Sequence, residues 1–366
     1  MSETYPRSPR ARRLYAYGKT LPRAHRRVAY LGWLNHGNMG DEAVLAAYGQ
    51  AFPNCIFVEI PQRLTQLRGP LSRLATTRGV VLGGGTLIGK TAYRQGFERL
   101  LSITPHAPAV MLGTGVEDPA FHRSQEARMQ EELQRWAGIL PQFSEVSVRG
   151  PLSQELLQTI GIDCNVVGDS ALLLGPHDLS PASDARVLGL NLSLTMEMWG
   201  GRPDRVFEAV SGALRPLVEA GWRIRYIPLW PADLPSAYEL QRVLGQEIEI
   251  VNNFHQLPEL MRAIGGCRIF VGQKLHSVIL ASAMHVPSIM IEYHPKCRDF
   301  QRSVKRDKWT IRTDTITAAR LRAMLEELEN EHDRQRADLF ATVRVLRAKL
   351  VASADRARST LPRKLQ

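Results

Sequence analysis

Val28-Ala29-Tyr30-Leu31-Gly32 is a short apolar run that leads through a Gly- and Asn-rich loop into Gly37-Asn38-Met39-Gly40-Asp41-Glu42-Ala43, where a helical pattern begins. A buried strand, a loop and a helix in that order open a β-loop-α unit. The unit then repeats. Ile56 to Ile60, Gly79 to Leu82, Ala109 to Gly113, Glu145 to Val148 and Asn165 to Gly168 read as buried strands, with helical segments such as Gln125 to Trp136 and Pro151 to Ile160 between them. Strands alternating with helices predict a parallel sheet covered on both faces. Gly175 to Ala185, with two prolines, reads as a linker. Beyond it a second series begins, with strands at Val187 to Leu192, Arg223 to Ile227, Glu247 to Val251, Arg268 to Val271 and Pro287 to Ile291. The expected fold class is therefore α/β with two Rossmann-like lobes and a C-terminal helical extension. The expected boundaries are a basic arm at 1–27, lobes at 28–175 and 186–313, and helices with a basic tail at 314–366.

Composition narrows the classes. A chain of 366 residues has room for two domains, and no apolar run approaches the roughly 20 residues that span a bilayer. No apolar segment follows the N-terminal charges as in a secretory signal, so the expected location is the cytoplasm. Cys55, Cys164, Cys267 and Cys297 lack metal or redox spacing and read as core or incidental thiols, so no metal site is expected. The net charge of +11 gathers at the two ends. No nucleic-acid motif accompanies it, which leaves solubility or attraction to an anionic membrane face as its meaning.

In open parallel sheets ligands gather at the carboxyl ends of the strands, so the loops there are the candidates for chemistry. Gly37 to Ala43 lacks the G-x-G-x-x-G order of a dinucleotide site, and Asp41 with Glu42 would put negative charge where a pyrophosphate binds. Asp41 reads either as an N-cap or as a proton acceptor for a sugar hydroxyl. Gly83-Gly84-Gly85-Thr86 serves either as a tight turn or as a close backbone approach to a ligand. Arg149 ends a strand, where its guanidinium reads as a fork for a carboxylate or phosphate, or as half of an ion pair. Val271-Gly272-Gln273-Lys274-Leu275-His276-Ser277 and Glu292-Tyr293-His294-Pro295-Lys296 place two cations and a histidine at successive strand ends, an anion site with a proton-handling imidazole. Trp199, Trp230 and Tyr238 are candidates for stacking on a sugar.

This ordered set resembles the polysaccharide pyruvyl transferase family from about Val28 to Phe300. The matching segments are Gly37 to Ala43, Gly83 to Gly85, Ser147 to Ser153 with Gly161-Ile162 and Asp169, Lys274-Leu275-His276, and Tyr293 with Pro295-Lys296. The resemblance implies a fold like the two-lobed GT-B glycosyltransferases. It also implies phosphoenolpyruvate as donor, with no further cofactor, and a cyclic pyruvate ketal formed on a saccharide of the cell surface. A lipid-linked acceptor would make sense of the basic termini. On this reading Arg149, Lys274 and Lys296 hold the donor beside Asn38, Gly84, Gly85 and Thr86. His276 is the candidate acid and Asp41 the base, with the two able to exchange. The family commonly has arginine where this chain has Lys274. The competing readings are a nucleotide-sugar glycosyltransferase on the same scaffold, or a glycan-binding protein without catalysis.

Overall fold

A computed structural model describes residues 25–34, 36–60, 77–179, 185–193, 199–200, 202–252 and 256–366. Most of the basic N-terminal arm and part of the linker lie outside the described residues. The first lobe runs β1 (Arg27–Leu31), α1 (Met39–Ala51), β2 (Ile56–Ile60), β3 (Val80–Leu82), β4 (Thr86–Ile88), α2 (Thr91–Ile103), β5 (Ala109–Met111), β6 (Gly115–Val116), α3 (Glu126–Trp136), β7 (Ser147–Val148), α4 (Pro151–Gln158) and β8 (Asn165–Val166). The second runs β9 (Val187–Asn191), α5 (Pro203–Glu219), β10 (Arg223–Tyr226), α6 (Leu234–Leu244), β11 (Glu249–Ile250), α7 (Leu257–Gly265), β12 (Ile269–Gly272), α8 (Leu275–Ala283), β13 (Ser288–Glu292), α9 (Pro295–Ser303) and β14 (Thr310–Arg312). Two helices, α10 (Ala318–Asn330) and α11 (His332–Thr360), end the chain.

The strand orders position the site. The first sheet is β2-β1-β3-β5 and the second β11-β10-β9-β12-β13-β14, every pairing parallel. In each sheet the order reverses once, between β1 and β3 and between β9 and β12. Connections leave such a point in opposite directions, so a crevice opens beyond the strand ends there. The loops at the first crevice carry Asn38, Asp41 and Gly83 to Gly85, and those at the second carry Lys274 and His276. Tyr48 of α1 fixes the first crevice, since its hydroxyl accepts from Leu112 N at 2.7 Å and donates to Leu82 O at 3.1 Å.

Three expected strands are shorter than their apolar runs. Glu145 to Val148 pairs only at Ser147–Val148, Asn165 to Gly168 only at Asn165–Val166, and Glu247 to Val251 only at Glu249–Ile250. β8 and β11 have a single neighbour each and are partly exposed, so burial does not extend them.

The lobes are joined by more than the linker. Met39 N donates to Leu229 O at 2.9 Å, and Trp230 Nε1 donates to His36 O at 2.9 Å. One apolar cluster holds residues of both sheets' helices together with Leu339, Val343, Leu346, Leu350, Leu361 and Leu365. α11 thus packs back across the first lobe. Arg347 is buried and donates to the carbonyls of Leu172, Pro176 and Ala283, while Arg356 pairs with Glu145 at 2.7 Å. Of the C-terminal arginines, Arg347 is therefore an internal fastener, and Arg356 ties the helix to the first lobe from an exposed position. No helix among the described residues is long and apolar enough to cross a membrane.

Candidate active site

The two crevices face each other across a cavity of about 490 Å³. Asn38, Asp41, Gly85, Thr86, Lys90 and Trp33 line it from the first lobe, and Trp230, Lys274, His276, Tyr293 and Lys296 from the second. That volume is ordinary for a small-molecule site, which spans about 300–1,000 Å³.

The first wall is built by a cap and by glycines. Asn38 Oδ1 accepts from Gly40 N at 3.1 Å, so Asn38 caps α1. Asp41 is therefore not the cap, and its carboxyl is left to the cavity. Gly40 lies against the His276 ring, where a Cβ would fall 2.3 Å from Nδ1. Only glycine lets the helix start and the imidazole meet. Gly85 has φ of +88°, a left-handed conformation that suits glycine, and lies near Asp41 Oδ1. Gly84 is not part of the lining, because it faces Val44 of α1, 2.7 Å from where a Cβ would sit.

The second wall carries positive charge. Lys274 precedes α8, whose first turn no side chain caps, and its backbone N–H donates to Asn191 Oδ1 at 3.1 Å. Its ammonium lies 3.3 Å from buried Asp233 and 4.7 Å from the centre of the Trp230 ring. Lys296 stands over Tyr293 at 4.9 Å and has no carboxylate within ion-pair distance among the described residues. Burial pushes both lysines below the ordinary ammonium range, opposed at Lys274 by Asp233.

Arg149 departs from the expected arrangement. It is buried behind the wall, where Nη2 donates to Thr86 Oγ1 and to Asp299 Oδ2, each at 3.3 Å. Gly115 makes room for the guanidinium, with a Cβ position 2.4 Å from Nη2. The ion pair wins because α9 delivers Asp299 to that spot, and Asp299 also accepts from Ser153 N at 3.0 Å and Ser153 Oγ at 2.7 Å. Arg149 reaches the cavity through Thr86 and through its charge.

Protonation runs opposite to the expected order. Burial raises the Asp41 carboxyl to about 7, against the pull of Lys296. Burial, then Arg149, Lys296 and Lys274, drive His276 down to about 3. Near neutral pH the carboxyl is poised to hold or release a proton, and the imidazole is neutral. His276 Nε2 is buried with no hydrogen-bond partner in the protein, a costly state for a polar atom unless a substrate meets it.

A model of the family described as polysaccharide pyruvyl transferase matches residues 38–295, which take in both walls except Trp33 and Lys296 at their edges. The chain belongs to the polysaccharide pyruvyl transferase family. No curated protein matched it. Among solved structures it is similar to UDP-GlcNAc 2-epimerase of Methanocaldococcus jannaschii, with 12% identity over 83% of this chain and 92% of that one and a TM-score of 0.52. The glycotransferase of kitacinnamycin gives 15%, 92%, 99% and 0.52 in the same order, and a glycosyltransferase of Rickettsia africae 10%, 91%, 98% and 0.51. At such identity the likeness carries the fold alone, the two-lobed GT-B arrangement. Membership in the pyruvyl transferase family makes the chain a transferase that modifies saccharides.

Several residues around the site gave no sign of themselves in the sequence. Asp233, on the turn before α6, partners Lys274. Trp33 is 41% exposed at the cavity rim and stacks on His36 at 4.0 Å. Of the aromatics singled out earlier only Trp230 lines the cavity; Trp199 donates to Glu292, and Tyr238 is exposed on α6. Against the expectation of no metal-ligand cluster, Glu117, His122 and His294 bring three potential donor atoms within 4.8 Å of one another. The meetings of Asp233 with Lys274 and of Glu117 with His294 could not be read from spacing, because each joins residues distant in sequence.

Proposed function

We propose that the chain moves the three-carbon unit of phosphoenolpyruvate onto two hydroxyls of one sugar, closing a cyclic pyruvate ketal during synthesis of a cell-surface polysaccharide or glycolipid. The observation that carries this reading is the pairing of a proton-holding Asp41 with a proton-free His276 in a cavity whose far wall is Lys274 and Lys296. Phosphoenolpyruvate has a carboxylate and a phosphate on three carbons, and two lysines with the charge of Arg149 behind them suit it.

Asp41 gives its proton to carbon 3 of the donor, and carbon 2 becomes electrophilic. The first sugar hydroxyl adds there while His276 takes its proton. The carbon–phosphate oxygen bond then breaks, and phosphate leaves with the proton from His276. The second hydroxyl closes the ring and returns a proton to Asp41. Ketal and inorganic phosphate are the only products. A bound donor trianion raises both pKa values, which keeps Asp41 protonated and lets His276 accept.

The cavity exceeds what a three-carbon donor fills, and its outer half, with Trp33 and Trp230, suits a sugar ring. Exposed basic residues of α11 such as Arg344 and Lys349 fit an acceptor held on lipid at an anionic membrane face of the cytoplasm. The test is to incubate the protein with phosphoenolpyruvate and a panel of glycans. Phosphate release with a matching mass gain on the sugar supports the reading. Turnover only with nucleotide sugars would replace it with glycosyl transfer, and binding without turnover would leave a glycan-binding protein.

A further inference from the structure

Where the lobes meet beside Lys296, one buried carboxylate holds several groups at once. Glu117 follows β6, and its Oε1 lies 2.8 Å from His294 Nε2 and 2.9 Å from His122 Nε2. Its Oε2 lies 3.3 Å from Lys90 Nζ, on a residue that lines the cavity. His294 in turn caps α9, its Nδ1 accepting the backbone N–H of Lys296 at 3.3 Å. An imidazole nitrogen that faces an N–H must carry the lone pair, so the His294 proton sits on Nε2 and points at Glu117. That tautomer satisfies the cluster as a hydrogen-bond relay and turns no His294 lone pair toward a metal ion.

We infer that Glu117 is a positioning residue, reaching from the first lobe through His294 to hold Lys296 charged and aimed at the donor. The inference rests on the proposed donor site. Pro295 presets the first turn of α9, the relay fixes the next residue, and Tyr293 supports its ammonium from below. Lys296 is half-buried among Arg149, Lys274, His276 and Cys297, with Asp41 and Glu117 as the nearby carboxyls. Asp41 titrates near neutral pH whereas Glu117 is held ionised throughout, so Glu117 is the standing negative charge. It stays ionised because His294 and Lys90 outweigh its burial. Without that charge, burial and the surrounding cations release the Lys296 proton at lower pH, and anion affinity goes with it.

The experiment is calorimetric titration of phosphoenolpyruvate and, separately, inorganic phosphate into the wild type and Glu117→Gln between pH 6 and pH 9. The expected result is about tenfold weaker binding of both anions in the variant, the size of one lost charged hydrogen bond. The deficit should widen as pH rises. His294→Asn, which keeps a cap for Lys296 N–H but breaks the link to Glu117, should reproduce the direction and serves if Glu117→Gln does not fold. His122→Ala, which removes a half-buried partner outside the relay, should change affinity little. Affinity in Glu117→Gln equal to wild type at every pH would overturn the inference. So would one zinc ion bound per tag-free wild-type chain and lost in Glu117→Gln, since the triad would then be a metal site. If wild type binds phosphate but prefers other donors to phosphoenolpyruvate, the donor reading fails while the phosphate series still decides the role of Glu117.

Discussion

The two walls of the cavity are made of opposite materials. The first lobe offers the Gly85 backbone, Thr86, the rim residues Trp33 and Lys90 and the one carboxyl, with Asn38 taking the capping duty that frees Asp41. The second offers lysines, an imidazole and a proline-started helix. Burial where the lobes meet raises Asp41 and depresses His276, and cations from both lobes depress His276 further. The difference teaches that the reaction centre is a property of the interface between the lobes, so its breakage should be graded by how directly a change touches that contrast.

The largest effect is expected from removing either proton-handling group. His276→Ala and Asp41→Asn should each lower kcat by about 10²–10⁴ with the fold intact by circular dichroism. The activity of the wild type should fall as pH rises through about 7, because the acid form of Asp41 is the working form. Asp41→Asn should also stabilise the fold at alkaline pH. The folded carboxyl keeps a proton that the unfolded chain has already lost, so folded protein loses stability between the unfolded value of about 4 and about 7, by about 2–4 kcal/mol in full. Thermal melts at pH 5 and pH 8 that move in parallel for both proteins would refute this.

Next comes the cationic wall. Lys296→Met should lower kcat/KM for phosphoenolpyruvate by about 10²–10³, the usual size for one aimed charge, and NMR should show the His276 ring titrating at higher pH. Lys274→Met strands Asp233 as a buried charge and should destabilise the fold by about 3 kcal/mol in denaturant melts, whereas Lys274→Arg should be tolerated, since a guanidinium can face Asp233 as well. The smallest effect belongs to the rim. Trp33→Ala should raise KM for the sugar acceptor about tenfold and leave donor affinity alone, the loss of one aromatic contact. An equal loss for donor and acceptor would mean that Trp33 only shapes the loop.

Much of the fold was legible because its signals are local. Alternating apolar runs and helical periods marked both lobes, and the glycine-rich turns marked the strand ends that face the cavity. The residues of the site were legible as types at positions, but their partners were not. Asn38 and Asp41 are equally good caps on paper, and only the geometry of the first turn decides between them. Arg149 stayed open between a ligand fork and an ion pair because Asp299, 150 positions later, cannot be placed beside it without the second lobe. The protonation order escaped for the same reason, since burial by a distant segment sets it.

One feature of the C-terminus bears on how such a chain is made. Leu361 lies against Gly79 beside β3, and the Gln366 carbonyl accepts from Asn54 at the end of α1. During synthesis the first lobe therefore emerges with an apolar flank that its own sequence cannot cover. It waits until the whole second lobe has been made before α11 arrives. Lobe-by-lobe folding on the ribosome is closed to this protein at that flank, and the wait is the interval in which a chaperone or a neighbouring nascent chain competes for the exposed surface.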